Sequence, residues 1–188
     1  MEAKKEFLRM INECEEIALA TSIHDFPNVR IVNYYYDEKN NIMYFATYTG
    51  REKISEFWKN NNVSFTTIPM NRGKREHIRA RGHVRESEKS ILDLREEFSN
   101  KMADFAEIID KYSNDLKVYE IRFSEVTVTL DSRYYEKVKI WLNWGYYVAP
   151  NFYFKYSFCN FSISPLNSNS ERMKFTVLSK CWFSLAII

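Results

Sequence analysis

Asn28-Val29-Arg30-Ile31-Val32-Asn33-Tyr34-Tyr35-Tyr36, a turn from Asp37 to Asn41, and then Ile42-Met43-Tyr44-Phe45-Ala46-Thr47-Tyr48-Thr49-Gly50-Arg51-Glu52-Lys53 make up the stretch on which the fold turns. Both runs are rich in β-branched and aromatic residues, and the Asp/Asn-rich turn between them predicts a β-hairpin. In the first strand Val29, Ile31, Asn33 and Tyr35 share one face and Arg30, Val32, Tyr34 and Tyr36 the other. Thr49-Gly50-Arg51-Glu52 matches the S/T-x-x-E capping box, so a helix is expected to start at Thr49 and run to about Asn60, with Ile54, Phe57 and Trp58 inward.

Working outward, residues 2–15 place Phe7, Leu8, Ile11 and Cys14 at helical spacing, and Glu16 to Ile23 reads as a strand. His24 to Asn28 supplies turn chemistry. Beyond the central helix, Val63 to Pro69 is a strand candidate and Met70 to Arg75 a polar connection. From His77 to Arg85 alternation is clean, with Ile78, Ala80, Gly82 and Val84 on one face and His77, Arg79, Arg81, His83 and Arg85 on the other. Residues 86–112 carry two helical patterns broken at Ser99-Asn100. Residues 117–130 form one long strand whose apolar phase changes, which predicts a bulge or bend at Ser124-Glu125. The expected fold is mainly β in the α+β class: a six-stranded antiparallel split β-barrel with flanking helices over residues 1–133.

A chain of 188 residues supports one such domain with a full core. Subtracting the six Lys/Arg and two Asp/Glu of residues 136–188 from totals of 27 and 25 leaves 21 basic and 23 acidic groups in residues 1–135. That near-neutral body offers no electrostatic footprint for nucleic acid or an anionic membrane, so neither partner is expected. Three widely spaced cysteines give no disulfide framework or zinc pattern, and a reducing cytoplasm fits best. Met1 to Glu16 lacks the apolar core of a signal peptide, and the longest uncharged runs, 140–154 and 156–170, are too short and polar to span a bilayer as a helix. Residues 134–188 hold 15 of the 31 aromatic residues with few charges and no sustained period, which sets them apart from the barrel as an atypical extension. Two readings of it stand open: an irregular segment packed on the barrel or a partner, or a tail not shaped by selection for folding.

Candidate chemistry concentrates at the helix start. Unpaired N–H groups and a partial positive charge there favour an anion, and Arg51, Lys53 and Arg30 supply cations; the competing reading is a capped helix with solvated basic side chains. The Arg79, Arg81, Arg85 row needs an anion, acidic partners or open water. No pair among His24, His77 and His83 has metal-ligand spacing, and Walker, nucleophile-elbow and Gly-x-Gly-x-x-Gly motifs are missing.

Three segments together resemble the pyridoxamine 5′-phosphate oxidase-like family of flavin-binding split barrels: Asn28 to Asn33, Tyr44 to Lys53, and Ile78 to Val84. The resemblance covers roughly residues 5–132 and implies a homodimer binding FMN in a cleft between subunits. Carried over by motif position, Arg30 and Lys53 would contact the phosphate, Ile31, Val32 and Asn33 would line the isoalloxazine, and Ala46 and Thr47 would flank the ring; Thr49 and Arg51 join these candidates from the helix start at Thr49 to Lys53. This chain departs from the oxidase members in three places. Glu52-Lys53 stands where they have Arg-Lys, leaving Arg51 as the substitute cation; Ile78 replaces a Gln; and the C-terminal Trp and Arg segment that recognises pyridoxal has no counterpart. The resemblance thus implies an FMN-dependent oxidoreductase acting on an unidentified small molecule, for example by nitro- or quinone-like reduction. The alternatives are a non-catalytic flavin protein, a haem or deazaflavin binder, and, with the body charge against it, a single-stranded nucleic-acid barrel.

Overall fold

The computed structural model describes residues 3–69, 73, 75–140, 146–149 and 152–155. Helix α1 (Ala3–Glu13) buries Phe7, Met10 and Ile11, with Cys14 just beyond its end, on one stripe, while Leu8 is half-buried. Strand β1 (Glu16–Ile23) turns back at His24 and Asp25, both at positive φ (49° and 66°), into β2 (Phe26–Asn33). Two consecutive left-handed residues make the tight turn whose twist suits a hairpin, so the strand starts at Phe26, earlier than the turn chemistry of residues 24–28 suggested.

The hairpin expected between residues 28–36 and 42–53 forms only in part. β2 pairs with β1 along its whole length, from Glu16 opposite Asn33 to Ile23 opposite Phe26. The chain leaves β1 at Tyr34, whose N–H still reaches the Glu15 carbonyl at 3.1 Å. Only β3 (Tyr35–Asp37) then pairs with β4 (Ile42–Tyr48). The face assignment holds: Arg30, Val32, Tyr34 and Tyr36 turn inward, while Val29 and Ile31 are 60% and 52% exposed.

Helix α2 (Glu52–Lys59) leads to β5 (Asn62–Thr67) and the long β6 (His77–Glu86). Helices α3 (Arg95–Lys101) and α4 (Phe105–Tyr112) follow, then β7 (Leu116–Arg122), β8 (Glu125–Thr129) and β9 (Tyr135–Lys139). The sheet runs β2-β1-β5-β6-β7-β4-β3, with β8 pairing both β6 and β9. Every pairing is antiparallel. It is a split barrel because β6 changes partner midway: residues 77–80 pair with β8 and residues 83–86 with β7. Gly82 sits at the divide, where an added Cβ would lie 2.4 Å from the Arg122 carbonyl oxygen. The bend expected at Ser124-Glu125 is the break between β7 and β8. The helical break falls at Met102 to Asp104, later than Ser99-Asn100, because Ser99 Oγ donates back to the Arg95 carbonyl (2.7 Å) and stays helical.

One core fills the barrel, around Phe7, Leu19, Tyr34, Phe45, Phe65 and Ile121. A second lies on the other side of β4 and β7, where Leu94, Phe98 and Ile109 of the α3–α4 region pack on Ile42, Tyr44 and Val118. β4 is therefore buried on both faces from Ile42 to Phe45, which explains its continuous apolar run. Lys101 joins the layers: its Nζ donates to the Ile11 carbonyl (3.0 Å) and lies 3.8 Å from the centroid of Tyr34, whose hydroxyl donates to the same carbonyl (2.7 Å).

β9 carries the sheet past residue 133 and Ile140 is buried in the barrel core. The chain divides into two units, residues 1–144 and 145–188. In the second, β10 (Tyr146–Ala149) pairs antiparallel with β11 (Phe152–Lys155); the remaining expectations for the extension, residues 156–188, lie outside the described residues. Among the described residues no helix is long and apolar enough to cross a membrane.

Candidate functional site

The loop from β4 into α2 does not form the capping box. Gly50 adopts φ +78° and the Thr49 N–H binds the Asp115 carbonyl (2.8 Å), so the helix begins two residues later than expected, with Arg51 at the N-cap position and no side-chain cap. Glu52, now the first helical residue, is exposed and cannot reach back as the motif requires. The helix is also rotated from the expected stripe. Glu56 and Phe57 are buried, Ile54 packs partly against the core, and Trp58 is 76% exposed.

Rotation brings Glu56 under β1 and β2. Its carboxylate accepts hydrogen bonds from Thr21 Oγ1 (2.5 Å), Asn28 Nδ2 (3.1 Å) and Arg30 Nη2 (2.7 Å). Burial alone would raise its pKa, but the bonds from Thr21, Asn28 and Arg30 and the guanidinium charge together hold it below the usual carboxylate value. The same guanidinium keeps one donor idle: Arg30 Nη1 is buried without a hydrogen-bond partner. A buried charged donor left unpaired is costly, and such groups call for an explanation.

Two further cations share this corner. Lys53 Nζ lies 5.8 Å from the centroid of the Phe45 ring, and its pKa is pushed down to about 8, first by burial and then by the charges of Arg30 and Arg51. Arg51 lies over Tyr48, 5.8 Å from the ring centroid. Three positive side chains beside an uncapped helix N-terminus, one with an idle buried N–H, are groups that could hold an anion. A pocket of about 290 Å³ adjoins the network on the Glu56 side, lined by Thr21, Ile23, Phe26, Pro27, Asn28, Glu52 and Glu56.

The structure thus brings Arg30, Arg51 and Lys53 together. Thr49 is exposed on the loop that precedes them. Thr47 is buried on the face of β4 that also carries Phe45, whereas Ala46 packs against the α3–α4 cluster on the opposite face. Val32 points into the core, Ile31 outward, and Asn33 is half-buried at the end of β2. Glu56, with its donors Thr21 and Asn28, was missed in the sequence. Its only signal was the i, i+3, i+4 spacing of Lys53, Glu56 and Phe57, an alternative stripe on the same helix.

The outward side of β6 alternates as expected. Arg85 is paired with Glu120, which Arg122 also contacts at 2.9 Å, while Arg79 and Arg81 are exposed. Register sets these arginines in two cross-strand rows, Val29-Ala20-Ser64-Arg81 and Ile31-Ala18-Thr66-Arg79. Among the described residues no cluster of three or more His, Cys, Asp or Glu is arranged to hold a metal.

A family model described as pyridoxamine 5′-phosphate oxidase-like matches residues 10–133. The chain belongs to this family. For the oxidase-like fold, the matched span ends between β8 and β9 and includes Arg30, Arg51, Lys53 and Glu56. Solved structures agree on the fold. A haem-binding protein from Mycobacterium smegmatis superposes with a TM-score of 0.61 at 14% identity, over 74% of this chain and 58% of its own, so this oxidase-like chain spans little more than half of that relative. HutZ, the haem storage protein from Vibrio cholerae, gives 0.53 at 18% identity over 68% and 95% of the two chains. A NimC/NimA family protein from Clostridium acetobutylicum gives 0.53 at 19% identity over 72% and 91%. No curated protein matches the sequence.

Proposed function

We propose that this chain binds FMN through its phosphate at the Arg30, Arg51 and Lys53 corner and serves as a flavin-dependent oxidoreductase for a small molecule of nitro- or quinone-like type. The observation that carries the reading is the buried, unpartnered Nη1 of Arg30 beside a desolvated Lys53. Bound flavin would supply hydride or electron transfer; the chain's own part is to hold the phosphate with Arg30 and Lys53 and to orient the ring against Ile31 and the backbone of β2 and β4. Purified protein should carry a flavin spectrum or take up FMN in calorimetry, and failure of both removes the proposal.

Lys53→Ala should weaken FMN binding by about 1.5–3 kcal/mol, the range for a hydrogen bond to a charged group, and leave the barrel folded. Unchanged affinity would put the phosphate elsewhere. The pH dependence follows from the same side chain. A phosphate favours the ammonium form, so affinity should fall as pH rises through about 8, where Lys53 loses its proton in the ligand-free protein. Titrations at pH 7 and pH 9 measure the loss, and Lys53→Ala should flatten the profile.

A homodimer would use the open sheet face. Val29 and Ile31 are exposed beside Ala18 and Ala20, and no element of a single described chain needs to cover them. Ile31→Glu should then shift the protein from dimer to monomer in light scattering; a wild-type monomer would remove this part.

Haem binding is the second reading, supported by His83, exposed on β6 between Arg81 and Arg85, since haem needs an axial ligand and cations for its carboxylates. A Soret band in place of a flavin spectrum would favour it.

A further inference from the structure

We propose that Glu56 is a positioning residue for the anion seat: by holding Nη2 of Arg30 it turns Nη1 toward the ligand. This rests on the phosphate-binding reading above. The geometry supplies a chain of restraint. Thr21 Oγ1 on β1 and Asn28 Nδ2 on β2 fix the two carboxylate oxygens at 2.5 Å and 3.1 Å, and Oε2, already bonded to Thr21, takes Arg30 Nη2 at 2.7 Å. Arg30 is a long side chain on an edge strand, 19% exposed, and without that grip it would spread over many rotamers. With it, one face of the planar fork is committed to Glu56 and the other nitrogen is left buried with no partner.

A carboxylate next to an anion seat is a paradox on charge alone. Coulomb repulsion from Glu56 opposes a phosphate, so a carboxylate is expected there only if it does something for binding that outweighs the repulsion. Ordering the guanidinium is that contribution: the entropy of fixing Arg30 is met on folding, in a hydrogen-bonded network, and is not charged against ligand binding. Glu56 also offsets part of the positive charge of Arg30 and Arg51, which, after burial, depress the Lys53 pKa. Sequence spacing puts Glu56 on a stripe of α2 with Lys53 and Phe57 but does not give the role, which depends on the rotation of α2 under β1 and β2.

The two effects of Glu56, ordering and repulsion, predict opposite signs, and a mutant cycle with Arg30 separates them. FMN binding is measured by calorimetry on wild type, Glu56→Leu, Glu56→Gln, Arg30→Lys and the Glu56→Leu/Arg30→Lys double variant, each first checked by urea unfolding. Glu56→Leu should weaken FMN about tenfold, the loss of one charge-assisted restraint. Glu56→Gln, which keeps an oxygen acceptor of the same reach, should recover most of that. In the Arg30→Lys background, where no fork remains to be oriented, Glu56→Leu should cost no more than about twofold, a non-additivity that a general loss of packing would not produce. Glu56→Leu binding as tightly as wild type or tighter, or costing the same tenfold in both backgrounds, overturns the positioning role. Those failures are distinct from failure of the seat itself: if Arg30→Lys and Lys53→Ala both leave FMN affinity unchanged, or wild type binds no FMN, the phosphate reading falls and this role with it.

Discussion

Arg30→Ala is expected to cost the protein about 2–3 kcal/mol of stability at neutral pH and to cut FMN affinity by at least the 1.5–3 kcal/mol of a charged hydrogen bond. Both losses come from the same guanidinium. On the folding side, removing it leaves the Glu56 carboxylate, 10% exposed, with Thr21 and Asn28 but no counter-charge. Breaking a buried pair at one end is more damaging than never having built it, because the remaining charge stays desolvated. The estimate sits below the range for fully buried pairs because Arg30 itself is 19% exposed.

The pH dependence of that loss gives a check on its cause. In wild type Glu56 has its pKa held below the usual value, so it contributes stability that is present above the unfolded carboxylate pKa and disappears as pH falls through the folded one. Arg30→Ala removes its hydrogen bond and its charge from what lowers the pKa, and leaves burial, which raises it, opposed by Thr21 and Asn28 alone. The gap between wild type and variant, read from urea midpoints, should be widest near pH 7 and narrow toward pH 4. A gap independent of pH would mean the loss is one of packing, and intact FMN binding would mean that Arg30 is not at the phosphate.

Gly82→Val should destabilise the barrel by about 3 kcal/mol, at the upper end for inserting atoms into a packed interior. Gly82 lies on the inward face of β6 where pairing passes from β8 to β7, and an added Cβ would meet the Arg122 carbonyl oxygen at 2.4 Å, its carbon at 3.2 Å and Ile121 Cγ2 at 3.2 Å. A flexible side chain could yield at that distance; the Arg122 carbonyl belongs to the backbone of β7, which is paired with both β6 and β4, and cannot yield without loosening both. Because β4 carries Phe45, over which Lys53 lies, and leads into the Gly50 turn, the corner of Arg30, Arg51 and Lys53 should loosen with it. A variant that unfolds at the wild-type urea midpoint would show that the strands part here at little cost.

Much of this fold was legible because period-2 alternation reports which residues share a face. It gave β6 its apolar and cationic sides, put Arg30 on one face with Val32 and Tyr34, and located the β7–β8 break from a change of phase. It could not report the neighbour across the ladder, since backbone hydrogen bonds carry no side-chain identity. β2 was therefore expected opposite β4 and is found opposite β1. Helix rotation was hidden for a related reason: each residue advances 100°, so one register error exchanges Trp58 for Glu56 at the buried position. The capping box failed on the conformation of a single glycine.

Taken alone, the sequence determined the family pattern, the succession of strands along the chain, the cationic face of β6, and Arg30, Arg51 and Lys53 as candidate cations near the start of α2. Only the tertiary structure decided that Glu56 joins them, that Arg30 is left with one idle donor, and why position 82 must be glycine. These three depend on close approach between segments far apart in the chain, Thr21 and Asn28 to Glu56 and Gly82 to Arg122, and such contacts are set by packing and not by local spacing.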